Sequence, residues 1–473
     1  MPNTSLTDAL AAIVGPEHVL TGEADRERGS ADALSPFRGY RHNAGNLLSN
    51  QVDAVVRPAS TDEVVAVVQL ANERRIPIVP RGGSSGLMGG AVPLRGGIAV
   101  DMLRMNRVID VRPDDLLVEV EAGAHPAEVN KALAEYGLLL GHDPWTVAPS
   151  TIGGNIGTNG VGYRAAKYGM AGHQLVAVEA VLPTGTVLTT RATPSPSAGP
   201  DLTKLFVGTE GTFGIVTRAT LPAYRLPEAQ AFATYAFDDF EQGFACMAEL
   251  VALGIKPALF DLSEEDDRPG AVLYLVFEGY EELVAAEKSR TARIAGKAGG
   301  KDLGPKETVE YWRDRHSTGD NWLRNVFPTR PRDRWSSGWG ARMFDYVHVA
   351  ILTSKLLEFR SRAKALLAER GLSVRSSSCW TRPEFFDFGL GFDEAEAPDR
   401  ASWDRYAARM ADAQDAVLML AQDMGGGMEY VHGVGVKLAH LLAREWGVGL
   451  EVVRALKRSL DPNDIMNPGK LGL

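Results

Sequence analysis

The sequence predicts an α+β protein built from two domains and a C-terminal segment that returns to the first domain. At 473 residues the chain is too long for a single hydrophobic core. Between residues 51 and 221, short strands and helices alternate with glycine-rich stretches, and after residue 226 β–α–β units repeat. We therefore predict a first domain over 1–225, with its core at 51–221, a second domain over 226–424, and a returning segment over 425–473.

The composition excludes several classes of protein. The net charge of -10 and the pI near 5.5 argue against nucleic-acid binding, which usually requires a basic face. The two cysteines, Cys246 and Cys379, are too few for a disulfide framework or a cysteine metal site, which favours a reducing cytoplasm. The sequence has no apolar run of about 18 residues and no signal-peptide pattern, so we expect no membrane span.

Local signals place the secondary structure. Ser60-Thr61-Asp62-Glu63 predicts a capping box that starts a helix ending near Arg75, and Ile76-Pro77-Ile78-Val79 predicts a short buried strand. Pro183-Thr184-Gly185 predicts a hairpin turn between strands 174–182 and 186–190. In the second domain, helices expected at 241–253, 280–298 and 355–370 alternate with strands. This alternation predicts an antiparallel sheet with helices on one face.

A first glycine-rich cluster follows the buried strand and reads Pro80-Arg81-Gly82-Gly83-Ser84-Ser85-Gly86-Leu87. Glycine leaves no Cβ between the backbone N–H groups and a ligand, and successive N–H groups can form an anion-binding nest. The serine hydroxyls add donors, so a pyrophosphate is the expected guest. A tight surface turn is the alternative interpretation.

A second cluster reads Pro149-Ser150-Thr151-Ile152-Gly153-Gly154-Asn155-Ile156-Gly157-Thr158-Asn159. We interpret it as a second ligand-binding loop. The alternative is a flexible linker, but a linker has no need to bury apolar side chains such as Ile152 and Ile156. A third cluster, Gly208 to Val216, leads into a strand, where the backbone of Gly214, Ile215 and Val216 could pair with the edge of a heterocycle. A plain turn is also possible there. None of these clusters matches the dinucleotide fingerprint Gly-x-Gly-x-x-Gly.

Together the clusters resemble the FAD-binding domain of the vanillyl-alcohol oxidase family, also called the PCMH-type fold. The resemblance covers about residues 51–221 and includes Leu182-Pro183-Thr184-Gly185 and Glu210 to Val216. It implies a two-subdomain FAD-binding domain followed by a cap domain that binds substrate. It also implies that the first two clusters hold the pyrophosphate and ribityl chain, that Gly214 to Val216 meet the adenine or flavin edge, and that Glu210 and Asn467 belong to the cofactor site. Because Gly82 to Gly86 contain no histidine, we predict noncovalent FAD.

The second half of the chain indicates the branch of the family. Asp461 to Leu471 resembles the closing motif of the D-lactate and glycolate dehydrogenase branch. Trp312-Arg313-Asp314-Arg315 resembles that branch's Trp-x-x-Arg element, which implies that Arg315 meets a substrate carboxylate. A surface arginine on a helix is the alternative.

Val431-His432-Gly433-Val434-Gly435 resembles the histidine segment of the hydroxy-acid enzymes and equally that of alkyldihydroxyacetonephosphate synthase. The resemblance implies that His432 accepts the proton of a substrate hydroxyl. Val431 stands where the zinc-dependent members have glutamate, and His173, His316 and His348 do not restore a ligand set, so we predict no metal. Tyr430 is a candidate phenol donor.

The resemblance implies an FAD-dependent oxidoreductase that oxidises a small hydroxy acid or related alcohol by hydride transfer to flavin N5. One alternative is a flavin transferase like the synthase, although Phe385-Phe386 stand where the synthase has its catalytic tyrosine. Another is a phenol oxidase of the same family, with a pocket lined by aromatic side chains, and a third is a non-catalytic binding module. We expect a small, anionic substrate and a homodimer. The candidate pocket residues are Trp380, Phe385, Phe386, Phe388 and Phe392.

Overall fold

A computed structural model describes residues 5–35, 37–39, 50–193, 197–321, 324–325, 343–393 and 397–473. Within these residues the chain forms three β-sheets, two before residue 226 and one after it. The predicted α+β class is thereby confirmed. None of the helices in the described ranges combines the length and apolar character needed to cross a bilayer.

The first sheet has the strand order β1-β2-β4-β3. Strands β2, β4 and β3 run parallel, and β1 pairs with β2 antiparallel. The helix Thr61–Arg74 begins at the predicted capping box, where the Ser60 hydroxyl accepts from the backbone N–H of Glu63 at 3.2 Å. Its buried valines pack beneath the sheet. The strands are β1 (Val19–Leu20), β2 (Ala54–Val56), β3 (Ile78–Arg81) and β4 (Ile98–Asp101).

The second sheet is antiparallel, with the order β5-β6-β10-β8-β9, and β7 also pairs with β10. The structure has the predicted hairpin between β8 and β9, where Gly185 adopts a φ of 82° that suits glycine. The strands are β5 (Val108–Arg112), β6 (Leu117–Glu121), β7 (Leu138–Leu140), β8 (Ala177–Val181), β9 (Val187–Thr189) and β10 (Ile215–Arg225).

The third sheet has seven strands within the described part of the chain, all antiparallel, in the order β14-β11-β13-β12-β16-β17-β15. Apolar sides of the helices Phe240–Ala252 and Thr353–Glu369 join its core. The strands are β11 (Ala229–Phe237), β12 (Leu259–Glu265), β13 (Ala271–Gly279), β14 (Lys301–Gly304), β15 (Asp345–Ala350), β16 (Ser373–Trp380) and β17 (Phe385–Gly391).

The C-terminal segment lies against the first sheet. The Ile78 N–H donates to the Ile465 carbonyl and the Asn467 N–H donates to the Ile78 carbonyl, both at 2.7 Å, so the segment extends the sheet beside β3. The remaining α-helices in the described ranges are Leu6–Val14, Glu23–Gly29, Pro126–Ala134, Ile152–Thr158, Ala165–Tyr168, Glu281–Lys297, Lys306–Asp314, Ser317–Asn321, Arg400–Asp423, Leu442–Trp446 and Val448–Leu460.

Candidate functional site

The first two glycine-rich clusters are in direct contact. A Cβ on Gly82 would lie 2.0 Å from the Thr151 hydroxyl, and a Cβ on Gly83 would lie 1.5 Å from the Pro149 carbonyl oxygen. Only glycine allows this approach. Two clusters separated by 61 residues of sequence therefore form one surface, as the pyrophosphate interpretation requires.

The second cluster is a short helix, not the loop that the sequence suggested. Ile152–Thr158 is helical, with Thr151 as N-cap accepting from the Gly154 N–H at 3.3 Å and Asn159 ending it at a φ of 51°. Ile152 and Ile156, one turn apart, are buried as expected. A hydroxylated N-cap before two apolar residues at i and i+4 was the available signal. This helix signal was weak in the sequence because the glycines of the cluster have a low helix propensity.

Both clusters leave a face open. A Cβ on Gly86 would meet nothing within 4 Å, and a Cβ on Gly154 would meet only the Thr151 hydroxyl of its own turn. On the other side the first cluster is fixed, because the buried Arg81 guanidinium donates to the Arg28 carbonyl at 2.6 Å and to the Ser84 hydroxyl. Ser85 faces Thr146, with 3.5 Å between their hydroxyl oxygens. The result is a cradle whose open side is lined by backbone.

The third cluster and the C-terminal segment complete the cradle. Asn467 donates from Nδ2 to the carbonyls of Gly90 at 3.0 Å and Glu210 at 2.7 Å. Ile215 and Val216 pair with β8 along one edge, and the Ile215 side chain is buried in the core. The backbone along the other edge is therefore what could meet a cofactor, and the role of Gly214 to Val216 stays a prediction.

A buried histidine that the sequence analysis did not single out also faces this region. Both ring nitrogens of His142 are buried and lack a hydrogen-bond partner among the described residues. Burial lowers the pKa of His142 to about 4, although Asp143 and Asn155 oppose the shift, so the ring is neutral at pH 7. A neutral imidazole can donate with one nitrogen and accept with the other. The cradle and its unpartnered polar atoms thus fit a polar, diphosphate-bearing cofactor such as FAD.

The candidate base His432 lies beside two residues that hold it in place. Glu429 accepts with Oε1 from the backbone N–H groups of Tyr430, Val431 and His432 at 2.9, 2.6 and 3.2 Å. The same carboxylate lies 3.9 Å from Nδ1 of both His432 and His348. Although burial opposes ionisation, the two histidines and the backbone N–H of Val431 lower the pKa of Glu429 to about 2, so it is an anion at pH 7.

The three side chains His348, Glu429 and His432, here called the ligand set, have donor atoms within 4.8 Å of one another. Imidazole and carboxylate donors suit Zn²⁺ and related divalent ions. Contrary to the expectation from sequence, His348 joins a possible ligand set, because the carboxylate of that set, Glu429, lies three residues before His432 and not directly before it. The absence of a metal in the working enzyme stays a prediction.

Tyr430 stacks on Phe385 with 4.5 Å between the ring centroids and contacts the edge of His348. Its hydroxyl is buried and has no partner among the described residues, and burial raises its pKa well above the usual value. Trp380 belongs to the same cluster. Three of the five aromatic side chains expected to line a pocket lie instead in the core of the third sheet: Phe386, Phe388 and Phe392. The lining role of Trp380 and Phe385 stays a prediction.

Arg315 lies in a different group of side chains. Its Nε donates to Asp143 at 3.0 Å, its Nη1 donates to the Trp312 carbonyl at 2.5 Å, and its guanidinium lies 3.9 Å from the Trp312 ring centroid. Asp143 also accepts from Arg164 at 3.1 Å. Arg315 and His316 also line a cleft of about 690 Å³. Arg315 is thus a half-buried, paired residue, which excludes the free surface position considered as its alternative.

Comparison with known proteins agrees with this geometry. One family model, described as an FAD binding domain, matches residues 52–191, and a second, described as the C-terminal domain of FAD linked oxidases, matches residues 226–471. The chain is 30% identical to a mitochondrial D-lactate dehydrogenase (cytochrome) of Arabidopsis thaliana over 92% of this chain and 76% of the relative. It is 27% identical to a D-lactate dehydrogenase of Anaerostipes hadrus over 97% of this chain and 95% of the relative.

Solved structures share the fold. An alkyldihydroxyacetonephosphate synthase superimposes with a TM-score of 0.76 at 22% identity, over 99% of this chain and 86% of the other. The family models fall on the two parts of the chain that carry the cradle and the third sheet, and together they cover most of the sequence. The chain is an FAD-dependent enzyme and belongs to the FAD-linked oxidases.

Proposed function

We propose that this enzyme oxidises a small hydroxy acid or a related alcohol, with His432 as the base. The observation that carries the proposal is the attachment of the His432 segment to the cofactor cradle. The backbone N–H groups of Val434 and Gly435 donate to Glu210, and those of Val436 and Lys437 donate to the Met88 carbonyl at 2.9 and 3.1 Å. A base anchored in this way acts next to the cofactor.

In the proposed reaction the C–H and O–H bonds of the substrate carbinol break and a carbonyl forms. His432 receives the hydroxyl proton on its ring, and the neighbouring Glu429 anion stabilises the imidazolium that results. Bound FAD supplies the acceptor for the two electrons and the hydrogen that leave the carbon. The Tyr430 phenol, which stays protonated at neutral pH, can donate a hydrogen bond to the substrate oxygen.

An anionic substrate suits Arg315, because this arginine borders a cleft while Asp143 and Trp312 fix the orientation of its guanidinium. Relatives named as D-lactate dehydrogenases support a 2-hydroxy acid. The cytoplasmic location, the noncovalent attachment of FAD and the homodimer stay predictions.

Anaerobic stopped-flow mixing with a panel of 2-hydroxy acids, alcohols and 4-alkylphenols tests the proposal. We expect a hydroxy acid to remove the flavin absorbance. His432→Gln should slow this step by about 10²-fold or more, as expected for a general base. His440→Gln is the matched control and should react normally, because His440 lies eight residues after His432 and pairs with Asp415 instead.

Three outcomes would contradict the proposal. Reduction by phenols alone would assign the enzyme to phenol oxidation. Anaerobic product formation without an electron acceptor and without lasting flavin reduction would support a flavin transferase. A protein that remains colourless after addition of FAD would support a binding module.

A further inference from the structure

The buried carboxylate of Glu210 lies where four stretches of the chain meet. Its backbone N–H donates to the Gly157 carbonyl at 2.8 Å, and its own carbonyl accepts from Asn467 at 2.7 Å. Its Oε1 accepts from the N–H groups of Val434 and Gly435, both at 2.8 Å. Glu210 thus joins the second glycine cluster, Asn467 near the end of the chain, and the backbone that follows His432.

Space around this carboxylate is minimal. A Cβ on Gly433 would lie 2.7 Å from Oε1 of Glu210, and a Cβ on Gly90, three residues after the first cluster, would lie 3.2 Å from Oε2. A Cβ on Gly435 would lie 2.0 Å from the Met88 carbonyl oxygen. The carboxylate cannot shift without moving either the cofactor cradle or the segment that carries His432.

Ionisation of the buried Glu210 carboxyl group is energetically unfavourable. Burial raises the pKa of Glu210 to about 7, against the opposing effect of the Gly435 and Val434 N–H groups and of the buried Lys470. Its Oε2 has no hydrogen-bond partner among the described residues. Buried ionisable groups that make only some of their hydrogen bonds are concentrated at functional sites. A residue needed only to accept hydrogen bonds could do so without the free-energy cost of burying a carboxyl group.

We propose that Glu210 is a positioning residue that couples FAD binding to the placement of His432. When FAD orders the two glycine clusters, the carboxylate transfers that order to the backbone of Val434 and Gly435 and so to the base. The catalytic consequence rests on the proposed function, whereas the coupling itself concerns only the cofactor and the chain.

Hydrogen exchange of the apoprotein and of the FAD-loaded protein tests the coupling without any substrate. In the unmodified chain, FAD should slow exchange in the peptide that spans residues 430–437. Glu210→Ala should abolish that FAD-dependent protection. It should also raise the FAD dissociation constant by about tenfold, because two buried N–H groups lose their acceptor. Glu210→Gln keeps an oxygen acceptor and should retain most of the protection.

Asp461→Ala is the matched control. Asp461 is, like Glu210, a buried carboxylate that accepts from two backbone N–H groups. Its donors are Ile465 and Met466, and not residues next to His432. This variant should lose stability and keep the FAD-dependent protection of residues 430–437.

Three results would overturn the proposal: no FAD-dependent protection of residues 430–437 in the unmodified chain, protection that persists in Glu210→Ala, or loss of protection in Glu210→Gln. If Glu210→Ala does not fold, the unmodified chain and the glutamine variant decide the matter. A panel of hydroxy acids that fails to reduce the flavin would contradict the proposed function and leave the coupling measurement unaffected.

Discussion

Gly83→Ala tests the close contact between the two glycine clusters. The new Cβ would lie 1.5 Å from the Pro149 carbonyl oxygen, about half of an ordinary contact distance, and the obstacle is backbone, not the end of a flexible side chain. Relief requires one cluster to shift by more than 1 Å as an order-of-magnitude estimate. Overpacking of this kind costs about 1–3 kcal/mol. We therefore expect Gly83→Ala to destabilise even the apoprotein and to weaken FAD binding.

Gly86→Ala is the matched variant, three residues along the same cluster. Its Cβ would meet nothing within 4 Å, and its backbone is outside the positive-φ region, so the apoprotein should unfold at an unchanged temperature. If FAD fills the open face, however, the added methyl group should reduce FAD affinity.

Thermal unfolding of the two apoproteins and fluorescence titration with FAD separate these effects. For a domain of this size, about 1–3 kcal/mol corresponds to a midpoint lowered by several degrees. The reasoning is refuted if Gly83→Ala unfolds like the unmodified apoprotein, or if Gly86→Ala lowers the apoprotein midpoint and leaves FAD affinity unchanged.

Three further predictions concern stability and metal dependence. Asp345→Asn removes the negative charge that lies 2.7 Å from Nζ of the buried Lys437 and that also pairs with Arg38, and should cost about 1–3 kcal/mol in unfolding experiments, whereas the exposed Asp314→Asn should leave the midpoint unchanged. Although burial alone would raise the pKa of Asp143, the hydrogen bond from His316 and two neighbouring arginines hold this pKa well below its usual range. The stability that Asp143 contributes is therefore present at neutral pH and is lost as the pH falls below about 5. Asp143→Asn should reduce the loss of stability at acid pH, and an unchanged loss would show that other carboxylates cause it. Dialysis against a chelator should leave flavin reduction unchanged, and a loss of activity that Zn²⁺ or Mn²⁺ restores would show instead that the ligand set holds a metal.

Local signals in the sequence predicted the class of fold and the hairpin between β8 and β9, because strand patterns and turn residues act within a few positions of the chain. The cofactor followed from the resemblance of the glycine-rich clusters to a known FAD-binding family. The sequence did not reveal the helix Ile152–Thr158, since the low helix propensity of glycine is overridden there by the burial of two isoleucines against the second sheet.

Only the tertiary structure decided which side chains act together. Glu429 reaches His348 across 81 positions of sequence, and Glu210 reaches Val434 across 224, and no local pattern encodes such distances. The contact of Glu210 with Val434 and the place of Glu429 beside the histidines could not be predicted from sequence, because each carboxylate acquires its role from backbone N–H groups and histidines that only the fold brings close. The sequence shows which polar groups are present, whereas their hydrogen-bond partners and their burial are properties of the packed chain.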